Sequence, residues 1–175
     1  QPASVWLRGE KLSEVSAFLG TDNGAIVSGK TVENWFNKAV APSGAGLGNA
    51  PRKDSVPGFD LTFCAPKSVS LLWGMGADSD VRGIVDEAHQ AAVSQALDYL
   101  SEHAGYTRKQ VKEPAGKRLV VEKLAGISGV KYEHRTSRAG DPHVHSHVLL
   151  ANKQLCRDGK VRTLDGVSLY HEARA

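Results

Sequence analysis

Along this chain, short stretches in which every second residue is apolar alternate with longer ones in which apolar residues recur every third or fourth position. That mixture predicts an α+β protein. Phe59, Leu61 and Phe63 alternate with Asp60, Thr62 and Cys64, the pattern of a strand with one apolar face. Residues 117–124, 130–135 and 144–151 read as further strands, and 162–164 as a short one. Helical spacing appears at Leu12, Val15, Phe18 and Leu19, closed by Gly20. It returns over residues 69–76 behind Pro66, and over 80–103, where Val81, Ile84, Val85, Ala88, Ala92, Val93, Ala96, Leu97 and Leu100 form a long apolar stripe. Residues 165–175 begin another helix. The polar stretch 105–116 is expected to be a loop, 153–161 a turn, and 41–57, rich in Gly, Pro, Ser and Ala, a flexible loop. The order predicts one domain over residues 1–175, an antiparallel sheet with helices packed on one side.

Composition narrows the class without naming a chemistry. With 41% apolar and 23% charged residues in 175, the chain can form one core and reads as globular and soluble. A formal charge of +3 permits a polyanionic partner without requiring one. No apolar run approaches a membrane span. Cys64 and Cys156 make neither a disulfide framework nor a Cys-x-x-Cys site, which fits a reducing, cytoplasmic setting.

The histidines change the picture, because four of the seven lie at His134, His143, His145 and His147. Turn-prone Ala139-Gly140-Asp141-Pro142 separates two strand-like runs, so these should pair as an antiparallel hairpin. Alternation puts Val130, Tyr132, His134 and Thr136 on one face of the first run, and His143, His145 and His147 on one face of the second. Three neutral imidazoles form a divalent-metal donor set and leave coordination positions open to a substrate oxygen. The competing reading is a row of solvated histidines. His143 and His147 stand roughly 13 Å apart along a regular strand, too far to share an ion. The economical triad is therefore His134 with one adjacent pair from the second strand.

A second motif needs weighing. Gly24-Ala25-Ile26-Val27-Ser28-Gly29-Lys30-Thr31 satisfies the phosphate-loop pattern G-x-x-x-x-G-K-[ST]. A working phosphate loop follows a buried strand, whereas Thr21-Asp22-Asn23 precede this one. The segment is expected to be a turn feeding a helix over residues 31–40 with Thr31 as its N-cap. Nucleotide binding through residues 24–31 ranks third among the readings.

Phe59-Asp60-Leu61-Thr62-Phe63-Cys64-Ala65-Pro66-Lys67-Ser68-Val69-Ser70, then Glu133-His134-Arg135-Thr136-Ser137-Arg138, then His145-Ser146-His147 together resemble the relaxase domain of conjugative relaxases of the TrwC (MobF) kind, within the HUH endonuclease class. The resemblance runs from the Trp6-Leu7-Arg8-Gly9 segment to Ala175. It implies a five-stranded antiparallel, palm-like sheet, with a divalent ion, Mg²⁺ or Mn²⁺ in function, held by His134, His145 and His147. It also implies that Asp60, which alone would read as solvated, is the acidic residue beside the nucleophile. The implied activity is nicking and strand transfer of single-stranded DNA at a conjugative transfer origin, with other relaxosome proteins as partners. Lys67, Arg135 and Arg138 are then offered to phosphates, although Arg135 and Arg138 could equally pair with nearby carboxylates.

The departures are specific. The family's nucleophilic tyrosines lie ahead of the segment at Trp6, and Tyr99, Tyr106, Tyr132 and Tyr170 match none of them. The chain, which starts at Gln1, is thus expected to be a fragment without a nucleophile, inactive alone, and short of the first strand of the family sheet, with an edge left unpaired. Tyr132 is expected to pack rather than react. His143 occupies a position where the family commonly has Gln. The runner-up reading is a non-catalytic single-stranded nucleic-acid-binding module with a structural metal.

Overall fold

The two central ligand-bearing runs of the sheet are joined by a turn at residues 137–141. There Ser137 N–H donates to the Asp141 carbonyl (2.9 Å), Gly140 N–H donates to the Ser137 carbonyl (3.1 Å), and Gly140 takes a φ of 86° that costs glycine little. A computed structural model describes residues 2–76 and 79–173. In chain order the elements are β1 (Ala3–Arg8), α1 (Leu12–Leu19), β2 (Ile26–Val27), α2 (Gly29–Lys38), β3 (Gly58–Cys64), α3 (Lys67–Met75), α4 (Ser79–Ala104), β4 (Tyr106–Glu113), β5 (Gly116–Lys123), β6 (Ile127–Thr136), β7 (Pro142–Ala151), β8 (Lys153–Leu155), β9 (Val161–Thr163) and α5 (Gly166–Glu172). The main sheet has five antiparallel strands in the order β2-β1-β6-β7-β3, as the resemblance implies, while β4-β5 and β8-β9 are separate two-stranded ribbons. Among the described residues, no helix is long and apolar enough to cross a membrane.

Each face of the sheet has its own apolar cluster. On one, Val93, Leu97 and Leu100 of α4 and Leu169 of α5 pack on Trp6, Ile127, Val148 and Leu150. The other holds Ala3, Val5 and Leu7 of β1 with Val15 and Leu19 of α1, and Val32 and Trp35 of α2. A leucine or isoleucine buried in this way contributes roughly 1.5–3 kcal/mol. Helices α4 and α5 lie on the first face, and α1 and α2 cover one end of the second. Tyr132 and Leu149 sit at the margin of that cover, and the histidines of β6 and β7 lie beyond it.

Several segments differ from expectation. Residues 3–8, to which the sequence pattern assigns no strand, form β1, second in the sheet and paired to β2 and β6. Both its faces are covered, so it lacks the alternation that marks a half-buried strand. Residues 105–116 contain β4, a strand that buries only Thr107 and whose polar sequence carries little apolar period. Residues 153–161 contain β8, where Gln154 is buried and bonded to the backbone and hydroxyl of Ser128 (2.9 and 2.8 Å). Helix α2 starts at Gly29, and its N-cap is Ser28, whose Oγ accepts from Thr31 N–H (3.1 Å). With Ile26 and Val27 paired to β1 and Ser28 occupying the Thr31 amide, residues 24–31 form a strand and a helix cap, not a cradle for phosphate. Within the 41–57 loop, Ala41 and Leu47 are buried in the core.

Two glycines test this packing in opposite directions. A Cβ on Gly129 of β6 would run into the Leu149 carbonyl of β7, so Gly129→Ala should lower unfolding free energy in urea by about 1–3 kcal/mol. Gly29, in the first turn of α2, has nothing within 4 Å of its Cβ position, and Gly29→Ala should stabilise by about 0.4–1 kcal/mol. A neutral Gly129→Ala would show the β6-β7 approach to be looser than described.

Candidate metal centre

Three strands deliver the site in register. His134 on β6 faces His145 on β7, which faces Cys64 on β3; in the next row Tyr132 faces His147, which faces Thr62. Because alternate residues of a strand share a face, His134, His145 and His147 project together from the sheet, with Asp60 one row further along β3. The ring centres are 5.0 Å apart for His134 and His145, 5.4 Å for His134 and His147, and 5.3 Å for His145 and His147. The sequence-predicted ligands are therefore brought together. His143 stacks on His145 at 4.5 Å, on the side away from His147.

Hydrogen bonds settle which ring nitrogens are bare. His145 Nδ1 lies 2.9 Å from the His143 carbonyl, which can only accept, so Nδ1 carries the proton and Nε2 the lone pair. His147 Nδ1 lies 3.1 Å from both Asp60 carboxylate oxygens and 3.2 Å from Thr62 Oγ1. The carboxylate accepts a hydrogen bond from Nδ1–H, again leaving Nε2 bare. His134 is held below the ordinary histidine range by burial first, then by the neighbouring His145 and His147, so it is neutral at neutral pH.

Does this donor set fit a metal ion? Three imidazoles on one tetrahedral ion, each bound at about 2.0–2.1 Å, have ring centres roughly 5 Å apart. The observed spacings agree. Among the described residues, no group of three or more His, Cys, Asp or Glu side chains is placed so that it could hold a metal ion without rearrangement. The chemistry fits: neutral nitrogen donors, two with fixed tautomers, and a carboxylate behind one of them.

The cationic residues divide. Lys67, at the start of α3, pairs with Asp141 and donates to the Pro142 carbonyl (2.9 Å), at the histidine end of β7. Arg138 is exposed in the β6-β7 turn. Arg135 points to the opposite face, where it meets Asp86 of α4 (2.7 Å) and Glu133 (3.2 Å), and so does not join the site. Tyr132 is half-buried against the core cluster under α2.

One charged surface escapes a reading by apolar period. On one face of the β4-β5 ribbon, Arg108, Gln110 and Lys112 stand beside Val121, Leu119 and Lys117, and both apolar residues are exposed. Arg108 pairs with Asp165 (3.0 Å), but Lys112 and Lys117 lie directly opposite one another, with no ion pair to either among the described residues. The signal in the sequence is a cluster of basic residues, Arg108, Lys109, Lys112, Lys117 and Arg118, on both sides of Pro114-Ala115-Gly116.

Comparison with known proteins gives a consistent result. The TrwC relaxase family model matches residues 2–175. The multifunctional conjugation protein TraI of Escherichia coli is 36% identical over 102 residues, which is 55% of this chain and 5% of that protein. A metal-bound structure of the conjugative relaxase TrwC with OriT DNA superposes with a TM-score of 0.74 at 26% identity, covering 98% of this chain and 54% of that one. TrwC complexed with a 27-mer DNA comprising the recognition hairpin and the cleavage site gives a TM-score of 0.70 at 25% identity, covering 98% and 56%. This chain spans about half the length of those structures and a small part of TraI.

Two histidines set the acid response. Burial, followed by the charge of Arg135, holds His89 of α4 below its ordinary value, and His134 is lowered as well. The folded protein thus refuses protons that the unfolded chain accepts below about pH 6.5, and the stability these groups supply is complete above that pH and lost as pH falls. Asp141, held at about 2 by Lys67 and Ser137, adds little change between pH 7 and 5. The metal-free urea midpoint should therefore drop from pH 7 to pH 5, and drop less in His89→Gln. An identical pH dependence in that variant would show that His89 does not contribute.

Proposed function

Because the chain belongs to the TrwC relaxase family, we propose that its histidine platform is the metal site of a relaxase, which nicks single-stranded DNA at a conjugative transfer origin and transfers the strand. The observation that carries this reading is the row geometry of His134, His145 and His147, with bare Nε2 atoms on His145 and His147 and Asp60 behind His147. These three residues would hold the ion. A divalent ion there would draw negative charge from a scissile phosphate. Mg²⁺ or Mn²⁺ is the working ion, and of the two Mn²⁺ suits nitrogen donors better.

The chain's own residues do the rest. Asp60 orients His147 by accepting a hydrogen bond from its Nδ1–H, and its half-exposed carboxylate can accept a proton from an incoming hydroxyl. Lys67 and Arg138 flank the histidine end of β7 and serve phosphates there, while Lys112 and Lys117 on the exposed ribbon offer phosphates a second basic surface. Arg135 is committed to α4. Tyr132 is packed, Tyr99 OH donates to Glu172 (2.8 Å) away from the histidines, and Tyr170 packs on Phe59, so none of these is the nucleophile. Tyr106 lies in the separate ribbon. A cytoplasmic setting accords with two free thiols.

Metal titration tests the site directly. Replacing His134, His145 or His147 by Ala should weaken Mn²⁺ binding at least about tenfold, whereas His143→Ala should cost under about threefold, since the His143 carbonyl that orients His145 survives the substitution. Equal losses for all four would mean the triad is wrongly chosen. Single-stranded DNA should bind more weakly as salt rises, and Lys112→Ala or Lys117→Ala should each lower the log–log salt slope by about one. With Mn²⁺ and an origin-like oligonucleotide, a denaturing gel should show no covalent adduct. A band lost on Tyr132→Phe would make that tyrosine a nucleophile.

A further inference from the structure

On the face of β7 turned away from the metal site, Val144, Ser146, Val148 and Leu150 are all at most 1% exposed, and only Ser146 is polar. Helix α4 presents Val85, His89, Val93, Leu97, Leu100 and Ala104 inward, and only His89 is polar. The two exceptions meet: His89 Nε2 lies 3.0 Å from Ser146 Oγ in the buried interface. Around them is a chain of charges. Glu133, directly opposite Ser146 on β6, pairs with Lys131 (2.7 Å) and Arg135 (3.2 Å), and Arg135 pairs with Asp86 (2.7 Å), one turn before His89 on α4. None of these groups reaches the histidine face.

We propose that His89, acting through Ser146, is a positioning residue for the metal site, locking β7 along its length so that His145 and His147 stay in row with His134. The inference rests on reading that platform as metal-binding. A one-residue slip of β7 would turn its apolar residues outward and is excluded by burial alone. A two-residue slip is not, because Val144, Val148 and Leu150 could replace one another under α4. It would, however, put a valine against His89 and strand a buried imidazole without a partner, and on the other face it would put His143 or Leu149 where a ligand belongs. The pairing of β6 with β7 is already irregular between His134 and Thr136, so the turn does not by itself transmit register to the ligand rows. Arg135 and Asp86 tie β6 to the same turns of the same helix. Both ligand strands are therefore referenced to α4.

The test uses the whole 175-residue chain and Co²⁺, whose visible spectrum reports coordination geometry. His89→Ala should weaken Co²⁺ about tenfold and alter the band shape, and His89→Gln, which can still bond Ser146, should recover to within about threefold of the parent. Val93→Ala, a cavity variant on the same helix face, should lose stability yet keep parental affinity. In metal-free protein, amide exchange at His145, Ser146 and His147 should quicken about tenfold in His89→Ala but not in Val93→Ala. Parental Co²⁺ affinity in His89→Ala, an equal loss in Val93→Ala, or unchanged exchange overturns the inference. If the parent fails to take Co²⁺, the metal reading falls, and the exchange comparison alone decides whether His89 positions the strand.

Discussion

A strand must send successive side chains to opposite faces, and from His143 to Leu150 strand β7 obeys that constraint without a break. One face takes the imidazoles; the other takes Val144, Ser146, Val148 and Leu150 and holds the helices. The site and the core are thus two sides of one segment. Any force that fixes the buried side also fixes where the ligands stand, which is why the polar exceptions under α4 matter as much as the histidines above it.

The same sheet also governs dryness and charge. Cover by α1 and α2 ends near Tyr132 and Leu149, so the histidine rows beyond it remain open, while His134 is held below its ordinary value by burial first. Asp60 is reached from β3, an edge strand, and its carboxylate remains half-exposed even while it holds His147. A site built this way has a firm floor and open sides, which suits an extended polymer better than a small molecule needing enclosure.

Much of this was legible in the sequence. The hairpin of His134 and His145 with His147, the strand of Asp60, and the long helix all carry strong period-two or helical signals, and the structure places them as those signals require. What was not legible has identifiable causes. Strand β1 is covered on both sides, and β4 buries only a threonine, so both lack the apolar–polar contrast that periodicity reads. Arg135 looked available to phosphate because its partner Asp86 lies on a distant helix, a contact that only the tertiary fold creates. His89 was hidden inside an otherwise apolar stripe, where its spacing is indistinguishable from that of a core residue.

The order of the strands has a consequence for how the chain acquires its shape. Strands β6 and β7 are neighbours in sequence, but β1 and β3, which flank them, come from far upstream: Ser4 and Lys131 are 127 residues apart, and Thr62 and His147 are 85 apart. During synthesis the early strands emerge long before the hairpin that will separate and pair them, and they spend that interval with open edges. Folding therefore waits on loop closures that come late and cost much entropy, so this topology assembles slowly, and the interval before residue 151 emerges is when the chain is most exposed to association with other chains.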